Sequence, residues 1–171
     1  MSFEAKSIDT ADKTVFYAEL AQQARGLLHG ERDRIANAAN FAALVWHALP
    51  RINWCGFYFF DGRELVVGPF QGKPACVRIA LGRGVCGTAA TTRETQVVAD
   101  VNAFPGHIAC DAASRSEVVV PLFVGDALLG VWDVDSPEPG RFDDDDARGM
   151  QALCEIFLQS LSPSAQTEAA A

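Results

Sequence analysis

The hydrophobic period of this chain changes at Pro50, and that change limits what the chain can fold into. Two stretches before it read at helical period. Residues 12–28 set Phe16, Leu20, Ala24 and Leu27 near one face and stop at Gly30. Residues 32–48 carry Ile35, Ala38, Ala42, Val45 and Leu49 along a stripe that Pro50 limits. Beyond it, Asn53–Phe60 is aromatic-rich and runs into Asp61-Gly62, a strong hairpin signal, with Glu64–Val67 as the return strand. A strand is expected at Cys76–Ile79, a short helix at Val85–Thr92 and a brief strand at Gln96–Ala99. Asp100–Arg115 reads as irregular; Glu117–Phe123 and Ala127–Val134 then read as strands joined through Val124–Asp126. A closing helix begins near Asp143–Asp146 and repeats Met150, Leu153, Cys154, Phe157 and Leu161. This order predicts an α+β domain with a mainly antiparallel sheet, and suits a βαβ nucleotide fold poorly.

Size and charge narrow the function. The chain has 171 residues, room for one domain with a real core. Fourteen basic against 22 acidic residues leave a net charge of −8, which argues against binding the phosphate backbone of nucleic acid. Apolar runs such as Val118–Val124 fall far short of the roughly 18 residues a membrane span needs. Met1–Lys13 is acidic, with no apolar h-region, so a secretory signal is not expected and a cytoplasmic location is. Residues 1–10 and 162–171 are expected to be flexible ends around a single folded domain at 11–161.

Several motifs carry chemistry. Gly82, Gly84 and Gly87 stand in G-R-G-V-C-G, which formally matches a dinucleotide loop but lacks the βαβ context, so a tight turn into a short helix is the simpler reading. The acidic run Asp143–Asp146 suits a helix N-terminus, with Asp143 as cap, better than a metal site. In L-L-G-V-W-D-V-D, period two puts Asp133 and Asp135 on one strand face and Trp132 and Val134 on the other. Those two acids form either a patch suited to an ammonium group or a turn cap beside a solvated carboxylate. Glu117 can face the same cavity from the neighbouring strand, or pair with Arg115. Trp54 and Tyr58 share a face, as core or as an apolar wall for a small substrate.

Five cysteines divide by setting. Cys55 and Cys154 lie in apolar patterns and read as core. Cys76, Cys86 and Cys110 stand at a strand edge, a turn and a loop. With His107, three residues before Cys110, they can be counted as a zinc set; His107 can also serve a cysteine nucleophile. A thiol redox site uses several non-core cysteines better, one attacking and another resolving.

Taken in order, G-K-P-A-C (72–76), G-R-G-V-C-G (82–87), G-H-I-A-C-D-A-A-S (106–114), S-E-V-V-V-P-L (116–122), G-V-W-D-V-D-S (130–136) and G-R-F (140–142) resemble the free methionine-(R)-sulfoxide reductases, a GAF-domain family. The resemblance spans nearly the whole chain and implies a single GAF-like domain, its central sheet flanked by helices. It implies Cys110 as the attacking thiol, Cys76 as the main resolving cysteine and Cys86 as an additional thiol for relay or exchange. Glu117, Asp133 and Asp135 would line the substrate pocket, with Trp54 and Tyr58 as its aromatic wall. Backbone N–H groups around Ile108, Ala109 and Cys110 would hold the substrate carboxylate. The implied substrate is free L-methionine (R)-S-oxide. The implied electron source is an external thiol reductant of the thioredoxin type, with no bound cofactor or metal, and a homodimer is permitted. The alternative class is a GAF-type sensory module that binds a small ligand without turning it over.

Overall fold

The computed structural model describes residues 3–108 and 110–162. The expected C-terminal tail therefore lies, after Ser162, outside the described residues, as do Met1, Ser2 and Ala109. Two helices lead, α1 (Lys13–Leu27) and α2 (Arg34–Ala48). Asp12 caps α1 by accepting from Thr14 and Val15 N–H, and Asp33 caps α2 by accepting from Ala36 N–H. That second cap is why α2 starts two residues later than the expected residue 32.

Strands β1 (Trp54–Phe60) and β2 (Leu65–Gly72) form the first hairpin. They are followed by β3 (Arg78–Ile79), α3 (Gly84–Thr92) and β4 (Gln96–Val98). A 3-10 turn at Val101–Ala103 opens the long loop; β5 (Ser116–Val124), β6 (Ala127–Ser136) and α4 (Asp144–Ser160) complete the chain. The sheet order is β3-β2-β1-β6-β5-β4, and every pairing is antiparallel. The α+β expectation holds in detail, with two local departures. Strand β2 runs on to Gly72, through Gly68 and Pro69. Pro69 is tolerated because β3 pairs only with Leu65 and Val66, leaving that edge open, and because β2 itself bulges there, Gly68 and Pro69 together facing Phe57 between the Gly56–Phe70 and Tyr58–Val67 pairs. Strand β3 begins at Arg78, later than expected, because Cys76 is held elsewhere.

The sheet divides the interior. On one face Phe57, Trp132, Val118, Val120 and Val134 pack with Phe41 and Phe157 from α2 and α4, and Leu20 of α1 joins the same core. Cys55 and Cys154 lie in it, as expected for core thiols. On the other face α3 and the long loops cover Trp54, Tyr58, Val119 and Val131. Strand alternation thus sends Glu117, Asp133 and Asp135 to the α3 side, away from the larger core. The turn before α3 depends on Gly87, where a Cβ would come within 2.4 Å of the Ala80 carbonyl oxygen. No helix among the described residues is long and apolar enough to cross a membrane.

Candidate active site

A pocket opens between the sheet and α3, with about 530 Å³ of empty space including its mouth. The ladder assembles its floor. Glu117 of β5 stands opposite Asp135 of β6, which in turn stands opposite Trp54 of β1. Asp133 lies one step along, opposite Gly56 and Val119. The three acids therefore converge, each offering a carboxylate oxygen within 4.8 Å of the other two. Glu117 and Asp133 are each 7% exposed, so the solvated reading of Asp133 fails.

Burial sets the electrostatics of this floor. It pushes the Asp133 carboxyl well above the ordinary carboxylate range, and the neighbouring Glu117 charge adds to that. Asp135 is raised for the same reasons, burial first and then Asp133 and Glu117, while the Ser114 hydroxyl donating at 3.2 Å offsets part of the shift. Asp133 Oδ1 and Asp135 Oδ1 are buried without a hydrogen-bond partner among the described residues. Such oxygens call for a donor, and a cationic one satisfies both the lone pairs and the crowded charge.

The thiols occupy two settings. Cys76 and Cys110 form a disulfide with Cα atoms 5.3 Å apart, and Cys110 lines the pocket. That bond takes two of the four residues of the zinc set. Cys86, in the first turn of α3, is buried and donates through Sγ to Asp133 Oδ2 at 3.3 Å. Burial pushes its thiol well up, and the charges of Asp133, Glu117 and Asp135 push it further. Cys86 is thus a protonated hydrogen-bond donor on the pocket wall.

The aromatic side is Trp54 and Tyr58, stacked with centroids 5.7 Å apart, and Trp54 stacks again on Phe70 at 5.3 Å. Ile108 lines the pocket and lies over Gly84, where a Cβ would sit 3.3 Å from its side chain. The Cys110 loop thus rests on the N-terminal end of α3. Ala109, also expected to hold substrate, is outside the described residues. The structure thus gathers Cys110, Cys86, Glu117, Asp133, Asp135, Trp54, Tyr58 and Ile108 around one space. It also brings in Ser114 and Arg83, which the sequence patterns left without a role, and gives His107 a neighbour other than a metal or a thiol. His107 places Nε2 3.8 Å from Glu117, Ser114 reaches Asp135, and Arg83 lines the mouth. All three lie inside quoted motifs, but only the folded loops reveal what they face.

The chain is similar to known proteins over most of its length. The GAF domain family matches residues 16–161. The free methionine-R-sulfoxide reductase of Escherichia coli (strain K12) is 51% identical over 142 residues, 83% of this chain and 86% of that protein. Among solved structures, the free methionine-R-sulfoxide reductase from Neisseria meningitidis in complex with its substrate is 42% identical, with a TM-score of 0.90 over 97% of this chain and 99% of that one. A Burkholderia vietnamiensis protein solved as a GAF sensor is 69% identical, with a TM-score of 0.85 over 88% of this chain and 99% of that one.

Proposed function

The chain belongs to the GAF-domain family and, within it, to the free methionine-R-sulfoxide reductases, and from that premise we propose how its pocket reduces free L-methionine (R)-S-oxide. The reading rests on one juxtaposition: a Cys76–Cys110 disulfide opens onto a pocket whose floor carries three clustered carboxyl groups, two of which, Asp133 and Asp135, have an unpaired buried oxygen.

The substrate is a zwitterion, and the pocket is polarised to receive one. Its ammonium group lies on Glu117, Asp133 and Asp135 and pairs the orphaned oxygens. Its carboxylate lies toward the Ile108–Cys110 segment and Arg83. Its methyl-sulfoxide end lies against Trp54 and Tyr58. With Cys76 and Cys110 reduced, the Cys110 thiolate attacks the sulfoxide sulfur, and the oxygen takes up a proton. The raised carboxyl groups can hold that proton near neutral pH while the set stays negative enough for an ammonium; the proton belongs to the coupled set. The protonated oxygen passes to the Cys110 sulfur as the sulfoxide S–O bond and the transient S–S bond break. Methionine leaves with its sulfur reduced, and Cys110 is oxidised to a sulfenic acid. Cys76 attacks it, water departs, and the disulfide remains. Cys86, protonated and bonded to Asp133, orients that acid and remains the additional thiol for relay or exchange that the resemblance implies.

Electrons come from an external dithiol of the thioredoxin type in the cytoplasm; Cys76 and Cys110 are only partly buried, which leaves the bond within reach of such a partner. The family likeness also permits a homodimer. A sensory module without turnover would have no use for a disulfide on its ligand pocket.

Free-ammonium recognition gives the test. A peptide bond replaces the ammonium with a neutral amide and leaves the acids unpaired. Methionine release should be at least about 100-fold faster from the free R-sulfoxide than from the S-diastereomer or an oxidised peptide, with a dithiol as reductant. Comparable rates on the peptide would overturn the reading.

A further inference from the structure

Two side chains outside the pocket tie its cysteine loops together. Cys76 stands between β2 and β3, and Cys110 stands between the 3-10 turn and β5. Besides the disulfide, these segments meet at Asp111, next to Cys110. Lys73 Nζ lies 3.5 Å from Asp111 Oδ2, and Asn53 Nδ2 donates to the same oxygen at 3.3 Å. Asn53 Nδ2 also donates to Ser114 Oγ at 3.1 Å, and Ser114 passes on to Asp135. The next residue, Trp54, donates from Nε1 to the Lys73 carbonyl at 3.2 Å, which holds the Cys76 side of the clamp. The base is anchored, because Asn53, just before β1, donates from its N–H to the Asp135 carbonyl of β6 at 3.0 Å. Asp111 is fixed in turn by accepting from Ala113 N–H at 2.9 Å. Asn53 aims its amide donors at the Cys110 loop and leaves Oδ1 buried without a partner among the described residues. Neither Asn53 nor Lys73 lines the pocket.

We propose that Asn53 and Lys73 are positioning residues for disulfide closure: through Asp111 they hold the Cys110 loop against the Cys76 loop, and so set the rate at which the sulfenic acid is resolved. The proposal rests on the assignment of Cys110 as attacking and Cys76 as resolving thiol. In the step concerned, the Cys76 sulfur bonds to the Cys110 sulfur as the S–O bond of the sulfenic acid breaks. The hydroxyl leaves as water with the Cys76 proton, Cys76 is oxidised and the Cys110 sulfenic sulfur is reduced. Such a step gains from pre-aligned ends, whereas attack on the sulfoxide does not involve Cys76 or its loop.

The test follows one turnover of the pre-reduced full chain with one equivalent of free methionine R-sulfoxide. It measures released methionine, sulfenic acid trapped by a dione probe, and remaining thiols. Asn53→Ala should release methionine within about twofold of the wild-type rate while closing its disulfide about tenfold more slowly, so that trapped sulfenic acid accumulates. Lys73→Met, at an exposed position that folding does not need, should slow closure about two- to threefold. High salt should slow wild-type closure and leave the Lys73 variant unchanged. Wild-type closure in both variants would overturn the clamp, as would a methionine burst that falls in step with closure. If the wild-type chain itself formed no sulfenic acid or no Cys76–Cys110 disulfide, the assignment of the pair would fail instead.

Discussion

Two buried aspartates of this chain have opposite surroundings, and the contrast marks the site. Asp146 is fully paired: Lys13 Nζ lies at 2.6 Å, the Tyr17 hydroxyl donates at 2.8 Å and Arg141 Nη1 donates at 3.3 Å. Asp133 has one thiol donor and one unpaired oxygen. A carboxyl held above its unfolded value of about 3.9 favours folding when protonated. The stability contribution of Asp133 and Asp135 is therefore full below about pH 4 and is lost as pH rises through their raised folded values. Asp133→Asn removes that penalty. In the substrate-free protein it should be stabilising by about 1–3 kcal/mol at pH 7–8, with the gain fading toward pH 4. Thermal melts at both pH values check this, and an equal difference at each would show that Asp133 is not a strained acid.

At the level of elements, Asp146 joins the two ends of the chain. It lies in the first turn of α4, reaches back to the Asp143 N–H at 3.0 Å, and anchors Lys13 at the start of α1. Removing one member of such a buried set leaves uncompensated charge. Asp146→Ala should cost about 3–5 kcal/mol in urea denaturation while first-turnover methionine release per folded molecule stays the same. The sequence allowed part of this to be foreseen. An acidic run before an apolar helix announces the Asp143 cap, because capping is local. The Lys13 and Arg141 partners were not legible, because no local pattern records which distant residue a carboxylate will meet. Strand alternation likewise put Asp133 and Asp135 on one face, since period two is a property of the strand alone. The far end of β2 was missed because Pro69 reads as a breaker until one sees that its edge is unpaired.

For the whole molecule, the sheet separates folding from chemistry. One face carries the large core with α1, α2 and α4; the other has the smaller α3 and long loops, and there the acids, thiols and aromatics meet. Motif order across the chain pointed to the family and to this set of residues. It did not disclose that Cys86 bonds to Asp133, nor that Asn53 and Lys73 converge on Asp111, because those contacts join loops whose paths are set only by packing. The central claim is the division of labour between the two bonded cysteines. It is tested most directly by single-turnover methionine release from free methionine R-sulfoxide by Cys110→Ser and Cys76→Ser beside the wild type. Cys110→Ser should release no methionine, and Cys76→Ser should release one equivalent with a persistent sulfenic acid and poor recycling. Methionine release by the Cys110 variant at the wild-type rate would contradict it.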